Sequence, residues 1–144
     1  MKEMQFNPEH FTEKVWGAIL SAQNIAKQNN HQNIEKEHLF LSLIKTNELT
    51  IRILEKANTS IYKLKTELEE YINHLPRMKS SPEAIFLGKS LNSILTKAKA
   101  LKSKFGDKYI STEHLLLAIA EDPRIGEKVI NKDDLEKNKI LLAI

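Results

Sequence analysis

His10, His31, His38, His74 and His114 are the residues of this 144-residue chain best suited to metal or proton chemistry. A helical zinc site needs His-Glu-x-x-His, so that two imidazoles share one face, and none of the five has that spacing. There is no cysteine, hence no thiolate ligand, no thiol nucleophile and no disulfide, which suits a reducing compartment such as the cytoplasm. Gly88-Lys89-Ser90 has the ending of a phosphate-binding loop. Such a loop also needs a glycine five residues earlier and a preceding strand, and position 83 is Glu83 in a helical context. A Ser-His-Asp arrangement has no support beyond the presence of those residue types. Lys97, Lys99, Lys102, Lys104 and Lys108 could contact nucleic-acid phosphates. That run holds no arginine and few aromatics, and lysines on the outer side of an amphipathic helix account for it, so nucleic acid is disfavoured as a partner. The residues point to no catalysis, no metal and no cofactor.

Two of the histidines carry different information. Shifting the chain by 76 residues lays IEKEHLFLSL at 34–43 over ISTEHLLLAI at 110–119, with five of ten positions identical. The same shift pairs Phe11 with Leu87, Val15 with Leu91, Ile19 with Leu95, Ala22 with Ala98 and Ile25 with Leu101. His38 and His114 correspond, so they mark a tandem duplication before they mark any metal.

The elements that position this motif follow from periodicity. Phe11, Val15, Ala18, Ile19, Ala22, Ile25 and Ala26 recur at three- and four-residue spacing, which predicts a helix to about residue 29. A polar stretch at 29–33 breaks it, and helices are expected over 35–45 and 50–57 and from Ser60, a candidate N-cap. The second copy repeats the pattern over 87–105, 111–121, 124–130 and from 133. The fold class is therefore all-α, eight helices in two tandem four-helix repeats. The division is a tail at 1–10, repeat one at 11–75, a linker at 76–86 with Pro82 expected at a helix start after Ser81, and repeat two at 87–144. KILLAI ends without a capping signal, so more chain is expected to follow.

Within the motif, Ser111 as N-cap makes Ile110 and Leu115 a hydrophobic staple, and Ile34 and Leu39 repeat it around Glu35. Glu37 and Glu113 fall in the first turn, where the helix dipole favours a carboxylate by about 0.3–1 kcal/mol. These roles explain the recurrence without an active site. The remaining composition agrees: 41% hydrophobic, 28% charged, four glycines, four prolines and a net charge of +3 describe an ordinary helical globule. The longest apolar run, 115–120, falls far short of the roughly 20 residues of a membrane helix.

ISTEHLLLAI, preceded by GDKY and by a leucine-rich helix, resembles the Clp N-terminal repeat, and the two-copy layout is that family's architecture. NHLPRMKSSP and FTEKVWGAILSAQNIAKQ are similar to ClpB-type sequences, the latter to cyanobacterial ones, whereas INKDDLEKNK departs from the pattern. The resemblance spans about 11–144. It implies a non-catalytic domain on a hexameric AAA+ ring, with ATP bound only elsewhere in the parent. Its partners would be unfolded or aggregated client proteins, with possible co-chaperones and no membrane. A ClpA- or ClpC-like adaptor dock is the alternative within the family. Carried across by motif, Thr12, Asp107 and Glu113 would edge a client groove, with Leu91, Ile94 and Leu95 as its apolar floor.

Overall fold

A computed structural model describes residues 7–122 and 137–144, and the described residues form seven α-helices and one two-stranded parallel pairing. In the first copy α1 (Glu13–Gln28), β1 (Asn33–Ile34), α2 (Lys36–Thr46), α3 (Glu48–Lys56) and α4 (Ile61–His74) follow the expected order. In the second, β2 (Phe86–Leu87), α5 (Lys89–Lys104), α6 (Thr112–Ala120) and α7 (Lys137–Ala143) follow. The helix expected over 124–130 and the beginning of the one expected from 133 lie outside the described residues, as do residues 1–6 of the tail. Pro8–His10 form a single 3-10 turn.

Local chemistry sets the helix starts. Thr12 Oγ1 accepts from the Val15 amide, Asn47 Oδ1 from Thr50 and Ser60 Oγ from Lys63, so each cap satisfies a donor the helix itself leaves unpaired. Pro82 does not open a helix as expected. The chain from 76 to 85 is irregular, and α5 begins only at Lys89, because the Phe86 and Leu87 backbone is taken by pairing with Asn33 and Ile34.

The buried stripe of α1 includes Val15, Ala18, Ile19 and Ala22, and that of α5 is Leu91, Ile94, Leu95 and Ala98, the same four positions moved by 76. Against them pack α2 and α6, apolar on nearly every side from Leu39 to Ile44 and from Leu115 to Ile119. A helix buried all round belongs at the centre of its surroundings, and each copy places its motif helix there. Ile34, Leu39, Ile110 and Leu115, the expected staple residues, are all in that core.

The copies are joined by an exchange that the period of 76 also relates. Ile34 pairs with Leu87 in the ladder, and Phe11 forms an isolated parallel bridge with Ile110. The second pairing is the first with the copies swapped, since 11 becomes 87 and 110 becomes 34. The Gly88 amide donates to the Ile34 carbonyl at 2.9 Å, and its counterpart Thr12 donates to Ile110 at 3.1 Å. Each copy thus holds the start of the other's first helix, and neither pairing would survive alone in water.

Side chains reinforce the seam. Lys36, 2% exposed, places Nζ 2.6 Å from Asp122 Oδ1, while its amide donates to Ser90 Oγ. Ser90 Oγ donates in turn to Glu35 Oε1 at 2.7 Å, and Asn47 Nδ2 donates to Thr112 Oγ1 at 3.0 Å.

Two glycines should respond in opposite directions to alanine. At Gly88 a Cβ would collide with Glu35 Oε1 and lie 2.8 Å from the Ile34 carbonyl oxygen, which the ladder holds. Gly88→Ala should therefore destabilise the fold by about 1–3 kcal/mol in urea unfolding. At Gly17, inside α1 with nothing within 4 Å, alanine should stabilise by about 0.5–1 kcal/mol.

Candidate functional site

Both copies build the segment before the motif in the same way. A residue in the left-handed region, Asn30 at φ 57° and Gly106 at φ 74°, ends α1 and α5, and the next amide bonds back into the helix. His31 donates to Ala26 and Asp107 to Lys102, each at 2.9 Å. This turn aims the side chain of His31 or Asp107 at the motif histidine seven residues on. His38 Nε2 lies 3.0 Å from His31 Nδ1, and His114 Nε2 lies 2.8 Å from Asp107 Oδ2. On the other side of each ring, Nδ1 accepts the N-cap amide, of Glu35 at 2.8 Å and of Ser111 at 2.9 Å. An Nδ1 that accepts an amide leaves the proton on Nε2, so the motif histidine is a strut between helix start and loop. Their recurrence has this structural cause, and sequence reasoning saw the ancestry of His38 and His114 but not their partners.

The copies differ in what the strut meets. Burial, with the His31 ring beside it, pushes the His38 imidazole down to about 4, and burial with the Arg77 charge lowers His31. Asp107 instead keeps half of its side chain in solvent.

All three polar residues expected at a binding edge are attached to the segment 110–114. Thr12 is half-buried and tied to the Ile110 carbonyl, Asp107 accepts from His114, and Glu113 Oε2 accepts from Ser111 Oγ at 3.1 Å. Glu113 also lines a pocket of about 210 Å³ with Leu49, Arg52, Ile53 and Lys56 of α3 and Ala143 and Ile144. The apolar floor expected at Leu91, Ile94 and Leu95 is a different matter, for they are 0%, 1% and 0% exposed. They are core, facing inward with their counterparts Val15, Ala18 and Ile19.

Apolar surface near the edge comes from residues that the periodicity did not single out. Trp16 is half-buried with its ring 5.7 Å from that of Phe11, and Leu20 one turn on is 44% exposed. Phe105 and Tyr109, also exposed, bracket Asp107, and the Phe105 ring lies 5.7 Å from that of His114. The available signal was two aromatics in a loop, off any helical stripe.

The two exchanged helix starts are not equivalent. Around Gly88 the junction is filled by the Glu35 side chain, which leaves no room for a Cβ. At the corresponding junction Thr12 stands where Gly88 does, and the short Ser111 replaces Glu35. Duplication has produced one junction with a buried glycine against a glutamate and one with a half-buried threonine opposite a serine.

A tandem pair of helical units that exchange their first-helix starts, with apolar and acidic groups around one junction, is the architecture of a Clp-type N-terminal module. The chain belongs to the Clp repeat (R) N-terminal domain family, whose sequence model matches residues 10–132. It is 40% identical over 141 residues to chaperone protein ClpB 1 of Parasynechococcus marenigrum, covering 98% of this chain and 16% of that one. It is also 40% identical over 138 residues to ClpB 1 of Thermosynechococcus vestitus, again 16% of its length. The chain thus spans about one sixth of these relatives. In fold it is similar to the Hsp104 N-terminal domain of Candida albicans, with a TM-score of 0.81 at 23% identity, covering 94% of this chain and 89% of that one. A ClpV N-domain in complex with a VipB peptide superimposes with a TM-score of 0.66 at 15% identity over 99% and 96%. Among the described residues, no helix is long and apolar enough to cross a membrane.

The histidine strut has a measurable consequence. Both first-copy imidazoles are lowered from 6.5 in the fold, so unfolding takes up protons below that pH. Their contribution to stability is full above pH 6.5 and is lost as pH falls toward about 4. His31→Asp, which copies the Asp107 arrangement, should lose less stability over that window when urea melts are compared. Leu95→Ala should cost about 2–5 kcal/mol in the same assay, as a core position and not a surface one.

Proposed function

We propose that this domain binds exposed apolar segments of unfolded or aggregated proteins at the edge formed by Thr12, Asp107 and Glu113, for a ClpB-type ATP-driven disaggregase. It is non-catalytic and uses no cofactor of its own, with ATP confined to the parent's hexameric AAA+ ring in the cytoplasm. The observation that carries the reading is the apolar surface beside these residues: Trp16 packs on Phe11, Leu20 is exposed one turn further on, and the exposed Phe105 and Tyr109 bracket Asp107. A fold neighbour, the ClpV N-domain in complex with a VipB peptide, supports peptide binding by a scaffold of this kind.

The chemistry suits weak and general capture. Aromatic and leucine side chains offer apolar area without a deep pocket, and a polar border of hydroxyl and carboxylates accepts backbone amides of an extended chain. Discrimination would require clashes against wrong partners, and a shallow edge builds few. Several such domains tethered to one ring turn later contacts into intramolecular ones, so a client is retained although each site is weak.

Titration of the domain with unfolded casein, read by fluorescence anisotropy, tests this. Trp16→Ala should weaken binding about ten-fold, the usual loss for a central aromatic anchor. The Thr12→Ala, Asp107→Ala double variant should also bind less, with melting curves showing that the fold persists. Casein binding unchanged in both variants, or one tight folded partner in place of many unfolded chains, contradicts the reading.

A further inference from the structure

Helix α5 presents charge of a single sign. From Lys89 to Lys104 it carries five lysines and no acidic residue, and Lys108 follows in the loop. Lys89, Lys97, Lys99, Lys104 and Lys108 are all exposed. Among the described residues none of these five is in an ion pair, whereas Lys36 meets Asp122 and Lys45 meets Glu69. With about 3.6 residues per turn, Lys97 and Lys104 stand over one another two turns apart, and Lys89 lies toward the same side. That row is about 22 Å long, the reach of about seven extended residues.

The fold does not require these charges. Moved by the period of 76, the five lysines fall on Glu13, Ser21, Gln23, Gln28 and Gln32, so the first copy builds the same helix and loop with a lysine at none of them. The helix dipole favours a cation in the last turn, at Lys104, and its effect fades before Lys97 and Lys99. The neighbours narrow the partner. Asn92, Ser93, Thr96 and Ala100 are the exposed residues between the lysines, and such small side chains neither stack on bases nor insert into lipid. At its C-terminal end the row runs into the exposed Phe105 and Tyr109, and Lys108 Nζ lies 5.5 Å from the centre of the Tyr109 ring. Asp107 and Glu113 make the edge beyond them acidic, and they are held there by His114 and Ser111. An acidic stretch of polypeptide is therefore repelled from the edge and attracted along α5, while an apolar stretch meets Phe105 and Tyr109.

We infer that the lysine row of α5 binds acidic residues flanking the apolar segment of a client, so that the domain selects unfolded chains in which an apolar stretch adjoins a run rich in glutamate and aspartate. The assignment rests on client capture at the Thr12 edge and names the class of chain captured there. Lysine is a point charge on a flexible stem, which suits carboxylates at variable positions. Exposed charge of this kind acts mainly on the rate of encounter and is screened by salt.

The test compares three fluorescent peptides with one apolar core, Phe-Leu-Leu-Val-Phe, and flanks of about seven residues in which serine alternates with glutamate, glutamine or lysine. At about 20 mM salt the glutamate peptide should bind about ten-fold more tightly than the glutamine peptide, and the lysine peptide more weakly than either. At about 1 M salt, where screening acts within about 3 Å, the three should converge. The Lys97→Gln, Lys104→Gln double variant should lose the advantage of glutamate over glutamine while the melting temperature holds. Removing the same charge elsewhere on the surface, in Lys27→Gln, Lys79→Gln, should preserve it. Equal binding of the glutamate and glutamine peptides at low salt, or loss of the difference in both double variants alike, overturns the assignment and leaves client capture standing. Binding of the glutamate peptide through Lys97 and Lys104 with no binding of the glutamine peptide keeps the lysine row and contradicts capture at the apolar edge. An oligothymidine that binds more tightly than the glutamate peptide, and is lost in the Lys97, Lys104 variant, assigns the row to nucleic acid and overturns the inference.

Discussion

The structure depends on a reciprocal grip: each copy of the duplicated unit completes the backbone hydrogen bonding at the start of the other's first helix. Ile34 holds Leu87 and Gly88, and Ile110 holds Phe11 and Thr12. These are few bonds, and an isolated two-residue pairing has no stability in water. They persist because the strands lie over a core built from the same residues twice, with Val15, Ala18 and Ile19 on one side and Leu91, Ile94 and Leu95 on the other. Burial supplies the free energy, and the exchanged strands fix where each helix begins. The half-buried Lys36–Asp122 pair then ties the copies together, since removing Asp122 would strand the buried charge of Lys36.

Once the exchange is fixed, small differences between the copies decide what each junction can do. A glutamate in one N-cap position and a serine in the other, with a glycine opposite the first and a threonine opposite the second, give the two junctions different side chains on the same backbone. A histidine in one loop and an aspartate in the other separate a buried donor from an exposed acceptor. The same backbone thus carries two surfaces of different chemistry, which is how a duplicated scaffold acquires function without new folds.

Much of this was legible in the residues. The duplication shows as a constant shift of 76, and the helices of the first copy show as apolar stripes, because both signals are periodic. The parallel pairing at 33–34 and 86–87 carries no such signal: two residues are too few for alternation, and their bonds join segments more than fifty positions apart. For the same reason Pro82 looked like a helix start when the backbone just after it was reserved for a strand. Periodicity also shows that Leu91, Ile94 and Leu95 share a face but not what that face meets, and it meets core. The His31 and Asp107 correspondence stayed hidden because the shift of 76 pairs two different residue types there, and only the fold shows each of them set against the motif histidine.

The two junctions, alike in backbone, present different side chains, and only the Thr12 side is expected to take a client. Amide chemical-shift mapping of the domain during titration with an unfolded protein addresses it directly. Movement is expected at Thr12, Trp16, Asp107 and Ser111, with quiet amides at Gly88, Glu35 and Ile34. Equal movement at both junctions, or movement at the Gly88 side alone, would contradict it.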